Sequence, residues 1–120
     1  MEKNFEKILI GGLYDCEENI DDPENVSRTL KEAAKLMQVE PVEECYHKYE
    51  PYGLTYTIII KESIITFSSY PENKSVLLYL SSCNPDSNLK EAFEYVARKF
   101  KSRETKIFFN HSLPLRIKDV

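Results

Sequence analysis

The sequence predicts an α+β fold of two layers: a mostly antiparallel sheet with two helices on one face. Three observations predict it. Two stretches, near residues 23–37 and 89–100, carry apolar residues at helical spacing. Several other runs are rich in β-branched and aromatic residues, and four of these follow one another with no helical stretch between them. Strands joined by short turns pair antiparallel, and amphipathic helices bury their apolar stripes on such a sheet. A chain of 120 residues suffices for one compact domain, residues 1–120, and is too short for two ordinary ones.

Each element has its own signal. Phe5 to Gly12 alternates Ile8 and Ile10 with Leu9 and ends on two glycines, as a strand does. Tyr14 to Asp22 is acidic and turn-like. Asp22-Pro23 opens a helix, with Asp22 as N-cap and Pro23 at the first position. Val26, Leu30, Ala33, Ala34 and Met37 form its packing face, and Pro41 ends the pattern. Val42 to Tyr49 reads as a strand, Pro51-Tyr52-Gly53 as a turn, and Leu54 to Ile60 as a β-branched strand. Lys61-Glu62 connects to a strand at Ser63 to Phe67. Tyr70-Pro71-Glu72-Asn73 reads as a loop and Val76 to Leu80 as a short strand. Asn84-Pro85-Asp86-Ser87 supplies cap residues. The second helix follows with Leu89, Phe93, Val96, Ala97 and Phe100 on its apolar face. Lys106 to Phe109 is the last strand, and His111 to Val120 reads as a tail pinned by Leu113 and Leu115.

Composition narrows the function. The net charge is −4, and no dense basic run offers a phosphate backbone the cations it needs, so DNA is not an expected partner. No stretch approaches the ~20 apolar residues of a membrane span, and the charged N-terminus lacks a secretory pattern, which points to the cytoplasm. Cys16, Cys45 and Cys83 are odd in number and widely spaced, so neither a disulfide framework nor a zinc site is expected. Cys16 and Cys45 read as small buried or half-buried residues. His47 and His111 read as surface histidines without metal-binding neighbours. The acidic run Asp15, Glu17, Glu18, Asp21, Asp22 reads as a solvated loop that favours the helix N-terminus, and no metal site is expected.

The segment Lys61-Glu62-Ser63-Ile64-Ile65-Thr66-Phe67-Ser68-Ser69-Tyr70-Pro71-Glu72 resembles the signature of the small prokaryotic S-adenosylmethionine decarboxylases. That family reads Glu-Ser-His, then two or three residues, then His-Thr-Trp-Pro-Glu. Leu13-Tyr14-Asp15-Cys16, Asp21-Asp22-Pro23, His47-Lys48-Tyr49, Pro51-Tyr52-Gly53, Cys83 and Ala92-Phe93-Glu94-Tyr95 extend the likeness over roughly residues 7 to 110. The resemblance implies this family's fold, a dimer, and S-adenosylmethionine as ligand. It also implies a self-cleavage between Glu62 and Ser63 that turns the serine into a pyruvoyl group, the electron sink for loss of carbon dioxide. By the same resemblance, Thr55 and position 68 assist cleavage and Cys83 donates a proton. Tyr49 stacks on adenine, and Glu72 binds the ribose hydroxyls.

Two positions depart from the pattern. Ile64 and Ser68 stand where the family has histidines, and a serine has no basic site near neutral pH to replace imidazole. The nucleoside positions are kept while the processing apparatus is altered. The resulting reading is a lyase needing no cofactor, by a looser analogy to phage-encoded S-adenosylmethionine lyases and to type III CRISPR relatives that degrade SAM-AMP. The substrate carboxylate attacks its own γ-carbon, giving homoserine lactone and methylthioadenosine or its AMP conjugate. Intramolecular positioning of this kind is worth ~7–11 kcal/mol. Tyr49, Ser68, Tyr70 and Glu72 are its candidate residues, the aromatic faces suiting a sulfonium, with a homotrimer implied. The alternatives are a pyruvoyl-dependent decarboxylase of polyamine synthesis, its histidine role moved to His47 or His111, and a non-catalytic S-adenosylmethionine-binding paralogue. Catalytic candidates are thus Glu72, Tyr70, Ser68, Ser63 and Cys83, and substrate-binding candidates are Tyr49, Glu72 and Thr55. A homo-oligomer is expected in either catalytic case, because a domain this small makes a shallow site alone.

Overall fold

The computed structural model describes residues 4–117. The elements in order are β1 (Phe5–Tyr14), α1 (Pro23–Leu36), β2 (Glu40–Lys48), β3 (Leu54–Lys61), β4 (Ser63–Tyr70), a 3₁₀ turn (Pro71–Asn73), β5 (Ser75–Ser82), α2 (Leu89–Lys99) and β6 (Glu104–Pro114). The strands form one sheet in the order β2-β3-β4-β5-β1-β6, and every pair is antiparallel. Four consecutive strands form a meander. β1 then pairs with β5, and β6 closes the far edge.

Both helices begin as the sequence indicates. The Asp22 side chain accepts from the Glu24 N–H, with Pro23 at the first turn. The Asn88 side chain accepts from the Glu91 N–H at the start of α2. Each cap satisfies a backbone donor that the first helical turn leaves without a partner. α1 packs on β2 and β3, α2 packs on β1 and β5, and the helices touch each other, so both lie on one face. Val26, Leu30, Ala33, Ala34 and Met37 are fully buried there against Leu9, Leu13, Ile58, Ile65, Phe67, Leu78 and Leu80.

The last strand is longer than its side chains suggest. β6 runs eleven residues and pairs with β1 from Phe5↔Pro114 to Tyr14↔Glu104. Backbone pairing defines it, since an edge strand with mostly exposed side chains carries no strong apolar alternation. His111 to Pro114 are therefore strand, and the expected tail starts only after them. Residues 118–120 lie outside the described residues. Tyr70 to Asn73 is likewise more regular than a loop, because residues 71–73 make a 3₁₀ turn closed by the Lys74 N–H on the Pro71 carbonyl. Cys45 is exposed, whereas Cys16 is buried. The reason is that Cys45 sits on β2, the other edge, where nearly every side chain meets solvent.

The sheet face opposite the helices is laid out in rows by the register. One row runs His111, Ile8, Ser81, with Ile64, Ile59 and Glu43 continuing it across β4, β3 and β2. The next runs Phe109, Ile10, Tyr79, Thr66, Thr57, Cys45, and the third Lys106, Gly12, Leu77, Ser68, Thr55, His47. Ile10, Ile59 and Leu77 are 36%, 46% and 45% exposed, so this face carries uncovered apolar side chains among polar ones such as Thr57, Thr66 and Ser68.

Candidate functional site

The sequence-derived site residues fall into two groups at opposite ends of β4. Ser63 opens the strand and Ser68 lies near its other end. Five residues of extended chain put them about 17 Å apart.

At the far end, Tyr49, Thr55, Ser68, Tyr70 and Glu72 line one cleft together with Tyr52, Gly53 and Ser69, with a volume of about 330 Å³. That volume falls within the ~300–1,000 Å³ usual for small-molecule sites. Ser68 and Thr55 are cross-strand partners, and the Tyr49 hydroxyl lies 3.3 Å from Thr55 Oγ1. The Tyr49 ring meets His47 edge-on at 4.6 Å and remains 46% exposed, so one aromatic surface is open to a ligand. Tyr70, 40% exposed, and Glu72 come from the end of β4 and the 3₁₀ turn.

Asp21 holds this end together, a role its place in the acidic run does not suggest. Its Oδ1 accepts from the Gly53 N–H at 3.0 Å and from Ser69 Oγ at 3.1 Å, and its Oδ2 pairs with Lys48 at 2.8 Å. One carboxylate thus ties the turn after β2 to β4. The turn is closed by the Tyr49 N–H donating to the Gly53 carbonyl at 2.8 Å. Gly53 has φ +118°, and a Cβ there would sit 3.4 Å from the Tyr49 ring. The positive φ is what favours glycine here, while a Cβ would only touch the ring at ordinary contact distance.

At the near end, Ser63 and Cys83 come together. The Cys83 N–H donates to the Glu62 carbonyl at 2.9 Å. The Ser63 hydroxyl donates to Glu6 Oε1, and Ser81 Oγ donates to Ser63 Oγ at 2.8 Å. A second cleft of about 380 Å³ opens beside Cys83, lined by Phe5, Lys7, Ser82, Asn84 and Pro85 among others. Glu6 and Ser81 escape a sequence reading. Ser81 stands two residues before Cys83, which is a hint. Glu6 reaches Ser63 only because β1 pairs beside β5, the neighbour of β4, and nothing local signals that.

The chain is similar to known proteins. A family profile for S-adenosylmethionine decarboxylase matches residues 7–111. This chain belongs to the S-adenosylmethionine decarboxylase family. An S-adenosylmethionine decarboxylase proenzyme of Thermosipho melanesiensis is 29% identical over 106 residues, covering 88% of this chain and 82% of that one. Another, from Saccharolobus islandicus, is 31% identical over 99 residues, covering 82% and 80%. The crystal structure of the adenosylmethionine decarboxylase from Aquifex aeolicus superposes with a TM-score of 0.82 at 18% identity, covering 99% of this chain and 98% of that one. The two-layer decarboxylase fold is thereby shown. Among the described residues, no helix is long and apolar enough to cross a membrane.

Proposed function

We propose that this protein is an S-adenosylmethionine decarboxylase, made as a proenzyme and cut between Glu62 and Ser63, whose working site is completed by a second copy of the chain. The observation that carries the reading is the surrounding of the cut point. A serine hydroxyl sits against a carboxylate, and the preceding carbonyl accepts a backbone N–H from Cys83. These residues fit a pyruvoyl group built from Ser63. Once formed, that group supplies the electron sink for loss of the substrate carboxylate. The chain's own residues do the rest: Cys83 delivers a proton, Tyr49 stacks on the adenine, and Glu72 accepts from the ribose hydroxyls.

The second copy follows from distance. Residues about 17 Å apart along one strand meet on one small substrate only if it lies fully extended between them, and a second copy removes that requirement. Two sheets facing each other with strands reversed bring the Ser63 end of one over the Tyr49–Glu72 end of the other. The uncovered face with Ile10, Ile59 and Leu77 supports this contact, and a two-fold dimer uses the same patch on both copies.

One observation favours a second reading. Ser68 lines the cleft with Tyr49, Tyr70 and Glu72 at the position where the family has a histidine, and the neighbouring His47 packs on the Tyr49 ring. A cofactor-free lyase acting on S-adenosylmethionine or SAM-AMP needs only to fold the methionine tail for self-attack. Product analysis separates the readings. Carbon dioxide release together with fragments 1–62 and 63–120 supports the decarboxylase. Homoserine lactone from an uncut chain supports the lyase, and binding of S-adenosylmethionine without turnover supports the non-catalytic paralogue.

A further inference from the structure

The partner of the Ser63 hydroxyl is an acid that the signature motif does not contain. Glu6 reaches it from β1, 57 positions earlier in the chain. Ser63 Oγ donates to Glu6 and accepts from Ser81, whose own Oγ accepts from the Ile64 N–H at 3.2 Å. The hydroxyl proton is therefore directed at the carboxylate, and an oxygen lone pair is engaged by Ser81. The Glu62 carbonyl is held by the Cys83 N–H at 2.9 Å. Glu6 and Ser63 are both only half-buried. Serine is a weak nucleophile until a base within hydrogen-bond reach takes its proton. A carbonyl already held by a backbone donor is prepared for the charge that attack creates.

We propose that Glu6 is the general base for the first step of cleavage at Glu62–Ser63, so that this chain begins processing without an imidazole at position 68. The inference rests on the decarboxylase reading. Ser63 Oγ bonds to the Glu62 carbonyl carbon as the C–N bond between residues 62 and 63 breaks. The hydroxyl proton passes to Glu6 and from it to the departing Ser63 nitrogen. The product is an ester isomer of the chain, with no atom gained or lost. A water molecule then takes the Ser63 Cα proton as the Cβ–Oγ bond breaks, which leaves Glu62 as a free carboxylate and residue 63 as a dehydroalanine that tautomerises to an imine by gaining a proton at Cβ. Water adds to residue 63, and ammonia leaves.

The test follows chain cleavage, not decarboxylation. Wild type, Glu6→Gln, Glu6→Asp and Ser63→Ala are purified and followed by intact mass, with and without hydroxylamine, which cuts esters and spares amides. The expected result is that wild type yields fragments 1–62 and 63–120. Glu6→Gln cleaves roughly 100-fold more slowly or worse, the usual share of a general base, and accumulates no hydroxylamine-labile ester. Glu6→Asp, which keeps a carboxylate, recovers part of the rate, and a residue needed only to brace the strands would not give that recovery. Cleavage of Glu6→Gln at the wild-type rate overturns the inference and leaves the decarboxylase reading standing. Build-up of labile ester in Glu6→Gln overturns it too, because the first step would then proceed without the carboxylate. A wild-type chain that stays whole even with hydroxylamine removes the decarboxylase reading and the inference with it.

Discussion

At the scale of single residues, the best-defined charge lies away from both clefts. Glu44 on β2 accepts from the Tyr56 hydroxyl, from Ser27 Oγ at 2.8 Å, and pairs with Lys31 at 2.9 Å. The Tyr56 hydrogen bond, then Lys31, hold its carboxyl down from about 4.5 to about 2. Burial, then Glu44, push the Tyr56 hydroxyl up to about 12. A depressed carboxyl stabilises the fold above its unfolded value, and that contribution disappears as pH falls through the folded one. The melting temperature should therefore drop between about pH 4.5 and pH 2, and Glu44→Gln should flatten that limb. Parallel wild-type and variant curves would show that Glu44 does not link the edge strand to α1. The Gly53 position gives a second residue-scale expectation. Gly53→Ala forces a side chain into a backbone of positive φ, beside the Tyr49 ring. It should weaken S-adenosylmethionine binding, measured by calorimetry, more than a surface substitution such as Lys90→Ala does.

At the scale of elements, caps and cores set the stability. Asn88→Ala removes the acceptor for the Glu91 N–H and should cost about 1 kcal/mol in a denaturant titration. Phe67→Ala empties a site in full contact with the core, where Phe67 meets Phe100 at 5.2 Å, and should cost about 3–5 kcal/mol. A cap variant that costs more than the core variant would contradict this ranking. The elements legible in the sequence were those with a local chemical signature. Asp22-Pro23, the helical spacing of Val26 to Met37, and the β-branched run Leu54 to Ile60 each state their structure directly. β6 was legible only in part, because pairing with β1 extends it through His111 to Pro114 while its exposed side chains show little pattern. Cys45 misled for the same reason: an edge strand keeps β-forming residues without burying them.

At the scale of the whole molecule, the site was readable as a list of residues and not as a place. The signature puts Ser63, Ser68, Tyr70 and Glu72 within ten positions, yet an extended strand spreads them along the length of the sheet. The Glu6 to Ser63 contact joins strands far apart in sequence and only the sheet order creates it, whereas Cys83 N–H to Glu62 sits at the open end of the β4–β5 pair. Assembly should depend on the uncovered face. If the copies pair as proposed, replacing Ile59 and Leu77 together by lysine should give a monomer in sedimentation where the wild type gives a dimer, while leaving the melting of the monomer fold in place. An unchanged mass would mean that the copies associate elsewhere, or not at all. The most direct measurement is complementation between two defective chains. A Ser63→Ala copy lacks the near end of the site, and a Glu72→Gln copy lacks the far end. A purified hybrid of the two, assayed for carbon dioxide release from S-adenosylmethionine, should recover close to half the wild-type rate, one of two symmetric sites being whole. A hybrid as inactive as its parents, beside an active wild type, would contradict a site shared between copies.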